Sequence, residues 1–224
     1  MEKFINRHEA GRILADQLKS YANNPNVIVL ALPRGGVPVG YEVAKALSVP
    51  LDVFIVRKLG VPDHEELAMG AIASGGVTVF NQDIVDTLSI SQENIEKIIA
   101  KEEQELKRRE DMYRHNLPFP DLENKIVILV DDGIATGATM RAAIKALRQQ
   151  NPAQLIMAIP VAAFSTYQEM GKLVDEIVCP LQPLNFYAVG LWYEDFQQTS
   201  DAEVSELLKK RSGNQIDTGM SPVV

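Results

Sequence analysis

The sequence predicts an α/β protein with a mostly parallel central sheet flanked by helices, and three observations carry this prediction. Short apolar runs alternate with helix-like stretches through most of the chain, as they do in strand–helix–strand units with right-handed crossovers. One run, Val127–Val130, contains no polar residue, which indicates a strand covered on both faces. The length of 224 residues suits one well-packed domain better than two.

The first half of the chain is predicted to alternate helix and strand before it becomes irregular. In order, we expect an amphipathic helix from about Asn6 to Tyr21, a buried strand Val27–Leu32, a helix Gly36–Leu47 and a strand Leu51–Val56. Residues 57–70 look irregular and polar. A hairpin should follow, with strands Ala71–Ser74 and Val77–Phe80, because Gly75-Gly76 permits a turn with positive φ.

Residues 91–114 predict a long charged helix that opens with Ser91. Glu and Lys or Arg recur in favourable i,i+4 order along it, for example Glu105 and Arg109. Its apolar positions are few, so we expect a solvated arm, or a helix that lies on a partner chain across a two-fold axis in a homodimer. These apolar positions are Ile95, Ile98, Ile99 and Leu106.

The second half again alternates strand and helix. We predict a helix at 137–150, a strand Leu155–Pro160, a helix at about 165–173, a strand Glu176–Val178 and a last helix capped by Ser200 or Asp201 and ending near Lys210. Residues 1–211 would form a single domain, with its core at about 25–180 and a small hood at about 180–198. The stretch 212–224, rich in Gly, Ser, Thr and Asn, is expected to be disordered.

Composition excludes several functional classes. The formal charge of −8 argues against non-specific nucleic-acid binding. Cys179 is the only cysteine, and nothing nearby would lower its pKa, so we expect a packed small residue rather than a nucleophile. The first residues lack a signal peptide's apolar stretch and no apolar run is long enough to span a bilayer, so we expect a cytoplasmic protein with no membrane contact.

Residues 127–139 are the most informative segment. An apolar strand runs into Asp131 and Asp132, whose carboxylates only accept hydrogen bonds and therefore suit a sugar diol. The following loop, Gly133–Thr139, offers backbone N–H groups and two hydroxyls at the start of a helix, where an anion is favoured. The segment therefore reads as two acceptors for ribose hydroxyls followed by a phosphate cradle.

Other interpretations explain less of this segment. Magnesium-binding nucleotide hydrolases also end an apolar strand in carboxylates, but the chain has no G-x-x-x-x-G-K-[ST] loop. It has no G-x-G-x-x-G fingerprint of a dinucleotide fold either. A purely structural interpretation makes Asp132 a turn residue and Thr136 a helix N-cap, and leaves Asp131 and Thr139 without a role.

The string resembles the phosphoribosyl diphosphate (PRPP) signature of type I phosphoribosyltransferases. The resemblance implies that Asp131 and Asp132 take the ribose 2′- and 3′-hydroxyls. It also implies Mg²⁺ as cofactor; no residue is expected to ligate the metal directly, and Asp131 and Asp132 are the candidates for contact through water. The 5′-phosphate would be wrapped by Gly133, Ala135, Thr136, Gly137, Ala138 and Thr139.

Two further loops complete the resemblance to the family. Arg34, Gly35 and Gly36 follow the first buried strand and would contact the diphosphate; the alternative is a tight turn with a surface arginine. Arg57 and Lys58 close the next predicted strand and open the irregular segment, which would be a flexible lid over the reaction. The predicted catalytic residues are Arg57, Lys58, Asp131 and Asp132.

The roles of the remaining candidates stay open at this stage. Glu66 would orient a base or hold a water on magnesium, or it is a solvated loop charge. Trp192 and Tyr193 in the aromatic hood would stack on a nitrogenous base, or the hood aromatics anchor a small core. Together with the N-terminal helix, these motifs resemble a branch of predicted phosphoribosyltransferases over about residues 4–210.

The resemblance implies transfer of a 5-phosphoribosyl group from PRPP to a nitrogenous base or related acceptor, with release of diphosphate. Two alternatives remain: a regulatory protein that senses PRPP or a nucleotide without chemistry, and an enzyme that hydrolyses or phosphorolyses a nucleotide in the same pocket. The sequence does not identify the acceptor.

Overall fold

The computed structural model of the chain describes residues 3–62, 64–88, 90–115 and 117–216, without the side chains of Glu65, Glu66 and residues 212–216. Five parallel strands form the central sheet, in the order β2-β1-β6-β7-β8. The strands are β1 Val27–Ala31, β2 Leu51–Val53, β6 Ile126–Val130, β7 Gln154–Ala158 and β8 Glu176–Val178. This confirms the predicted mostly parallel sheet.

Side chains along the central strands alternate between two hydrophobic cores. On β1, Val27 and Val29 face the core formed with the helices α1 (Arg7–Gln17) and α2 (Gly36–Leu47). Ile28 faces the opposite core, beneath α5 (Ala138–Arg148) and α6 (Phe164–Met170). Both faces of the sheet are therefore covered, which explains why its central strands are apolar throughout.

Residues 57–70 are not irregular, as the sequence analysis expected, but form most of an antiparallel sheet. Its strands are β3 Val56–Val61, β4 His64–Ala73 and β5 Val77–Phe80. Leu59, Val61 and Met69 are buried, which supplies the apolar face that the ribbon needs. The β4–β5 hairpin is confirmed, with Gly75 and Gly76 both at positive φ. In place of a lid loop, β3 and β4 form a ribbon that carries Arg57 and Lys58.

The long charged helix α4 spans Gln92–Arg114 and begins at the Ser91 cap, as predicted. It is not a solvated arm, because Ile95, Leu106 and Tyr113 are buried in the first core. Two further helices complete the chain: α3 Gln82–Thr87 and α7 Asp201–Ile216. Because α4 packs against β3 and α7 of its own chain, its apolar positions do not require a partner chain. The homodimer stays a prediction.

Helix α7 extends to Ile216, beyond the expected end near Lys210 and into the stretch expected to be disordered. The buried Arg211 side chain donates from Nε to the Val49 carbonyl at 2.9 Å, which fixes the turn that precedes this extension. The expected disorder of residues 217–224 concerns positions outside the described residues.

The hood packs against the N-terminal segment. Phe4 pairs with Tyr193, and its amide donates to the Trp192 carbonyl at 2.9 Å. A short 3₁₀ helix, Val189–Trp192, leads into this contact. Among the described helices, none combines the length and the apolar character that a membrane span requires.

Candidate functional site

Two loops meet at the carboxyl ends of the central strands β1 and β6. The loop after β1, residues 33–36, begins with a cis peptide bond between Pro33 and Arg34. A Cβ atom on Gly35 would lie 2.0 Å from Oδ2 of Asp132, and one on Gly36 would lie 2.8 Å from the Val130 carbonyl. Only glycine fits this close approach, so the paired glycines bring the loop against the acidic turn.

Asp131 lies half-buried at the end of β6. Its Oδ1 accepts the backbone N–H of Asp132 at 2.8 Å, which fixes the carboxylate at the mouth of the crevice. Burial, reinforced by the neighbouring Asp132 charge, raises the pKa of Asp131 well above its ordinary value. A half-buried pair of acceptors suits a donor-rich ligand, and a sugar diol is one.

Asp132 is held by an arginine that the sequence analysis did not single out. Arg7 Nε donates to Oδ2 of Asp132 at 2.8 Å, with both side chains less than 15% exposed. The Arg7 guanidinium also lies 3.8 Å from the Phe196 ring centroid and donates to the Gln197 carbonyl at 2.7 Å. Burial raises the pKa of Asp132 despite the opposing Arg7 charge. No local sequence signal marks Arg7, because 125 positions separate it from Asp132.

The loop Gly133–Thr139 has a buried framework and an exposed rim. Gly133, Ile134 and Gly137 are buried, and Gly137 adopts positive φ where it caps α5. The Ile134 amide donates to the Val161 carbonyl at 3.0 Å, which anchors the loop to the chain after β7. The rim consists of Ala135, Thr136, Ala138 and Thr139, all exposed beside the positive end of the α5 dipole.

Arg141 of α5, which the sequence did not identify as a site residue, contacts this loop. Arg141 donates to the Thr136 carbonyl at 2.5 Å and to Glu169 Oε2 at 2.9 Å. Thr166 Oγ1 donates to the Ala135 carbonyl at 2.6 Å. These contacts satisfy the carbonyls of Ala135 and Thr136. The position of Arg141, one helical turn after Gly137, is the signal that could have identified it.

Arg57 and Lys58 lie on β3, on the far side of the phosphate loop. Arg57 Nε donates to Oε2 of Glu102 on α4 at 2.8 Å, and a terminal guanidinium nitrogen forms an ion pair with the same oxygen at 2.6 Å. Lys58 is exposed. Both line a cavity of about 490 Å³ that reaches Thr139. Within the described structure, these cations therefore adjoin the predicted phosphate site, and Arg57 is already paired.

The other predicted residues differ in accessibility. Arg34 is partly exposed and lies near Tyr113. Burial raises the pKa of Tyr113, and the Arg34 charge opposes that rise. The Tyr113 hydroxyl donates to Asp201 at 2.5 Å. Tyr193 is only 3% exposed, and its hydroxyl donates to the Asp132 carbonyl at 2.5 Å. Its ring is enclosed by Phe4 and Phe196, at centroid distances of 5.4 and 4.9 Å. In this conformation the Tyr193 ring has no free face for a base.

Trp192 is partly buried and stacks on Phe186, with ring centroids 6.4 Å apart. This arrangement leaves both of its expected roles open, since one face of the indole packs in the hood. The proposed roles of Glu66 concern a side chain outside the described structure. Cys179 is buried, and burial raises the pKa of its thiol to about 12, which agrees with a packed small residue.

The groups at the crevice that suit a metal ion are the carboxylate oxygens of Asp131 and Asp132. Within the described ranges, no group of three or more His, Cys, Asp or Glu could by itself hold a metal ion. Mg²⁺ does not need such a cage, because it keeps waters and takes one or two carboxylates together with substrate phosphates. Asp131 and Asp132 fit that limited role.

Comparison with known proteins gives one consistent family. The family model described as "Phosphoribosyl transferase domain" matches residues 5–193. Two curated proteins from strains of Mycobacterium tuberculosis, each named "Putative phosphoribosyl transferase", are 42% identical over 210 residues, which cover 94% of this chain and 47% of theirs. The chain thus spans about half the length of the curated relatives it matches. The crystal structure of TT1426 from Thermus thermophilus superposes with a TM-score of 0.82 at 36% identity, covering 93% of this chain and 98% of that one.

Proposed function

Because the chain belongs to the phosphoribosyl transferase domain family, we propose that it transfers a 5-phosphoribosyl group from PRPP to a nitrogenous base and releases diphosphate. One observation carries the proposal: two adjacent half-buried carboxylates, the Gly35-Gly36 loop and the loop that leads into α5 meet at one crevice at the end of the sheet. Ligands of open α/β sheets bind at such crevices.

Each part of PRPP has a chemically matched partner. Asp131 accepts from the ribose diol together with the carboxylate oxygen of Asp132 that Arg7 leaves free. The exposed rim of the Gly133–Thr139 loop binds the 5′-phosphate with backbone amides and the Thr136 and Thr139 hydroxyls. The diphosphate meets Arg34 and the Gly35 amide on one side and Lys58 on the other, while the Gly36 amide donates to the Leu32 carbonyl at 3.0 Å and Gly36 contributes by letting the backbone approach.

The charges in the crevice favour the proposed bond change. The bond from C1′ to the diphosphate oxygen breaks with its electron pair on the diphosphate. A ring nitrogen of the acceptor bonds to C1′ through its lone pair, and any proton on that nitrogen leaves to water. Positive charge that develops on the ribose lies near Asp131 and Asp132, while Arg34 and Lys58 face the anionic leaving group. Mg²⁺, which Asp131 and Asp132 would hold through water, would neutralise part of that charge.

Arg7 and Tyr193 hold the acidic turn in place. Arg7 fixes one carboxylate oxygen of Asp132, and the Tyr193 hydroxyl fixes its carbonyl. Both therefore act on the diol site through Asp132 and are positioning residues. Arg7 belongs to the N-terminal segment and Tyr193 to the hood, and these two parts of the chain pair with each other. Together they therefore stabilise the acidic turn at the edge of the sheet.

One observation favours a second candidate, a non-catalytic protein that senses PRPP or a nucleotide. Arg57 is paired with Glu102 rather than directed at the crevice, and a sensor needs fewer cations at the leaving group. The acidic-turn and phosphate-loop assignments are the same for both candidates.

A base panel separates the candidates. The protein is incubated with PRPP, Mg²⁺ and single nucleobases while diphosphate release is followed. Release that depends on one base, with formation of the matching nucleotide, supports transfer. PRPP binding without release for any base supports the sensor and rejects the transferase. Loss of a base from added nucleotide, in water or phosphate, would instead identify a hydrolase or phosphorylase.

A further inference from the structure

A cavity of about 480 Å³ lies between α5 and the β4–β5 hairpin, and we refer to it as the α5 cavity. Its α5 wall is formed by residues at positions i, i+3, i+4 and i+7, which share one face of the helix. These residues are Ala138, Arg141, Ala142 and Lys145. The hairpin contributes Ala68, Gly70, Ala71, Val79 and Phe80. Lys58 of β3 and residues 81–83, at the start of α3, complete the lining.

The α5 cavity differs from the crevice of the acidic turn. Within the described structure, its lining includes neither aspartate of that turn and none of residues 33–36. Of the predicted PRPP contacts, it shares Lys58 and Ala138. A ligand in this cavity would therefore lie beside the proposed PRPP site rather than in it.

The inner wall of the α5 cavity is apolar. Ala71 and Val79 are buried members of the hydrophobic core beneath α5, and Ala142 packs against the same core. Small-molecule sites have volumes of about 300–1,000 Å³, with a mostly apolar lining and a few placed polar groups, and this cavity falls within that range. A purely ionic ligand would leave the apolar wall in contact with water, whereas an aromatic ring would cover it and gain from the burial.

The rim of the α5 cavity is cationic. Lys58, Arg141 and Lys145 are exposed there, against one lining carboxylate, Asp83, although the chain has a formal charge of −8. Lys145 Nζ donates to the Phe80 carbonyl at 2.5 Å, a bond that joins α5 to β5 and uses one of the three N–H donors of the ammonium. The ammonium can therefore also donate to a ligand. A concave surface with this charge concentrates anions.

Arg141 connects the α5 cavity to the phosphate loop. It lines the cavity, and its guanidinium donates to the Thr136 carbonyl at 2.5 Å. Its other partner, Glu169, forms an ion pair in which both side chains are more than 40% exposed, so this pair is weak. An anion in the cavity would attract the same guanidinium that holds the loop carbonyl. The cavity and the loop therefore share one cation.

We propose that the α5 cavity is an effector site for an aromatic organic anion, whose charged group pairs with Arg141 and Lys145 and whose ring lies on Ala71, Val79 and Ala142. An anion bound there draws Arg141 from the loop carbonyl and repels a phosphate on the loop, so it weakens sugar phosphate binding. Binding in the cavity does not depend on the proposed function. The effector role rests on it, because the phosphate loop is the part that the ligand influences.

Fluorescence titration of the full chain with the aromatic sulfonate anilinonaphthalene sulfonate (ANS) tests binding, which should saturate at one site. Lys145→Gln should weaken ANS binding about fivefold, because it removes one charge contact in a solvent-accessible cavity. Ala142→Leu should weaken it by at least about the same factor, because the larger side chain fills the space of the ring, while leucine remains a good helix former. Circular dichroism confirms that both variants are folded.

Each variant has a control outside the α5 cavity. Lys172→Gln makes the same charge change at another exposed lysine, and Ala100→Leu adds the same apolar side chain at an exposed position of α4. Both controls should keep the wild-type ANS affinity. An unchanged ANS affinity in Lys145→Gln or in Ala142→Leu would overturn the proposal. Losses of equal size in the controls would do so too, because they would show that ANS does not recognise this cavity.

Ribose 5-phosphate tests the effector role. At saturation it should lower the ANS affinity by a limited factor, about two- to threefold, and ANS should lower the affinity for ribose 5-phosphate by the same factor. Complete displacement of ANS would place the probe on the phosphate loop and overturn the proposal, and an unchanged ANS affinity would refute the effector role. If the chain does not bind ribose 5-phosphate but ANS binding still depends on Lys145 and Ala142, the proposed function and the effector role fail while the cavity site stands.

Discussion

The ionised side chain of Asp131 lowers the stability of the folded protein. Burial and the adjacent Asp132 charge raise its pKa, so the ionised form is less favourable in the folded chain than in the unfolded one. That ionised form is the one that accepts two hydrogen bonds from a diol. The residue that the proposed function needs most is therefore one that the fold would be more stable without.

Asp131→Asn should stabilise the protein at neutral pH. A raised folded pKa means that stability falls as pH rises from the ordinary carboxyl pKa to the raised value, and the amide removes this loss while its oxygen can still accept the Asp132 N–H. The Tm should rise by about 2–4 °C for each kcal/mol regained. Thermal melts of both proteins at several pH values measure the difference in Tm between the variant and the wild type. This difference should disappear toward about pH 3, where the Asp131 carboxyl is protonated in the folded and the unfolded state. A difference that does not depend on pH would contradict the assignment.

The local structure of residues 127–139 was predictable because it depends on adjacent positions. Asp131, Asp132 and the Gly133–Thr139 loop carry their geometry in adjacent positions, so a strand–turn–helix interpretation could place them. Arg7 and Glu102 act across long sequence separations, and an arginine or glutamate on a helix carries no local sign of its distant partner. The tertiary fold alone creates those pairs.

Among the elements, α4 shows how a charged helix is fixed to a fold. Its last residue, Arg114, is 5% exposed and makes hydrogen bonds with Asp52, Glu110 and the Val53 carbonyl. Its guanidinium also lies 4.7 Å from the Phe119 ring centroid. Burial raises the pKa of Asp52, although the Arg114 charge opposes the shift. This network ties the end of α4 to β2.

Arg114→Met should destabilise the chain by about 3–5 kcal/mol, because it leaves the largely buried carboxylate of Asp52 without its cation. Arg108→Met is the control on the same helix: Arg108 is exposed, so the loss of its pair with Glu105 should leave the free energy of unfolding nearly unchanged. Urea unfolding monitored by circular dichroism gives both values. Equal effects of the two substitutions would show that the buried network does not anchor α4.

The antiparallel ribbon was missed for a physical reason. The pairing register of β3 with β4 shifts between Leu59 and Gly60 and again between Gly60 and Val61. Each shift interrupts the strict alternation by which a half-buried strand is predicted. The central strands β1, β6 and β7 have no such irregularity, and their nearly uniform burial made their bounds predictable to within two residues. The edge strand β2 ends at Val53, three residues before its predicted end.

At the scale of the whole molecule, the two ends of the family domain meet at the acidic turn. The N-terminal segment pairs with the hood at Phe4 and Tyr193, and Arg7 and Tyr193 both reach Asp132. The sequence predicts the N-terminal helix and the hood but not their pairing, because an isolated bridge between two residues has no length or periodicity that a sequence pattern could show. The site therefore depends on tertiary closure of the chain.

Arg7→Gln should weaken PRPP binding at least about tenfold and lower stability by about 3–5 kcal/mol, because it removes the cation of a largely buried pair. Arg12→Gln on the same helix is the control. Arg12 is well exposed and lies 3.8 Å from Glu42, so its loss should change stability by less than about 0.5 kcal/mol. PRPP titration and urea unfolding of both variants provide the test. Unchanged PRPP affinity in Arg7→Gln would remove Arg7 from the positioning role.

The central claim is that Asp131 and Asp132 hold the ribose diol of PRPP. Its most direct test is calorimetric titration of PRPP with Mg²⁺ into the wild-type chain and into the double variant Asp131→Asn, Asp132→Asn, with circular dichroism to confirm that both are folded. We expect saturable binding to the wild type and none detectable to the double variant. Equal PRPP affinity in the two folded proteins, or no binding to the wild type, would contradict the account.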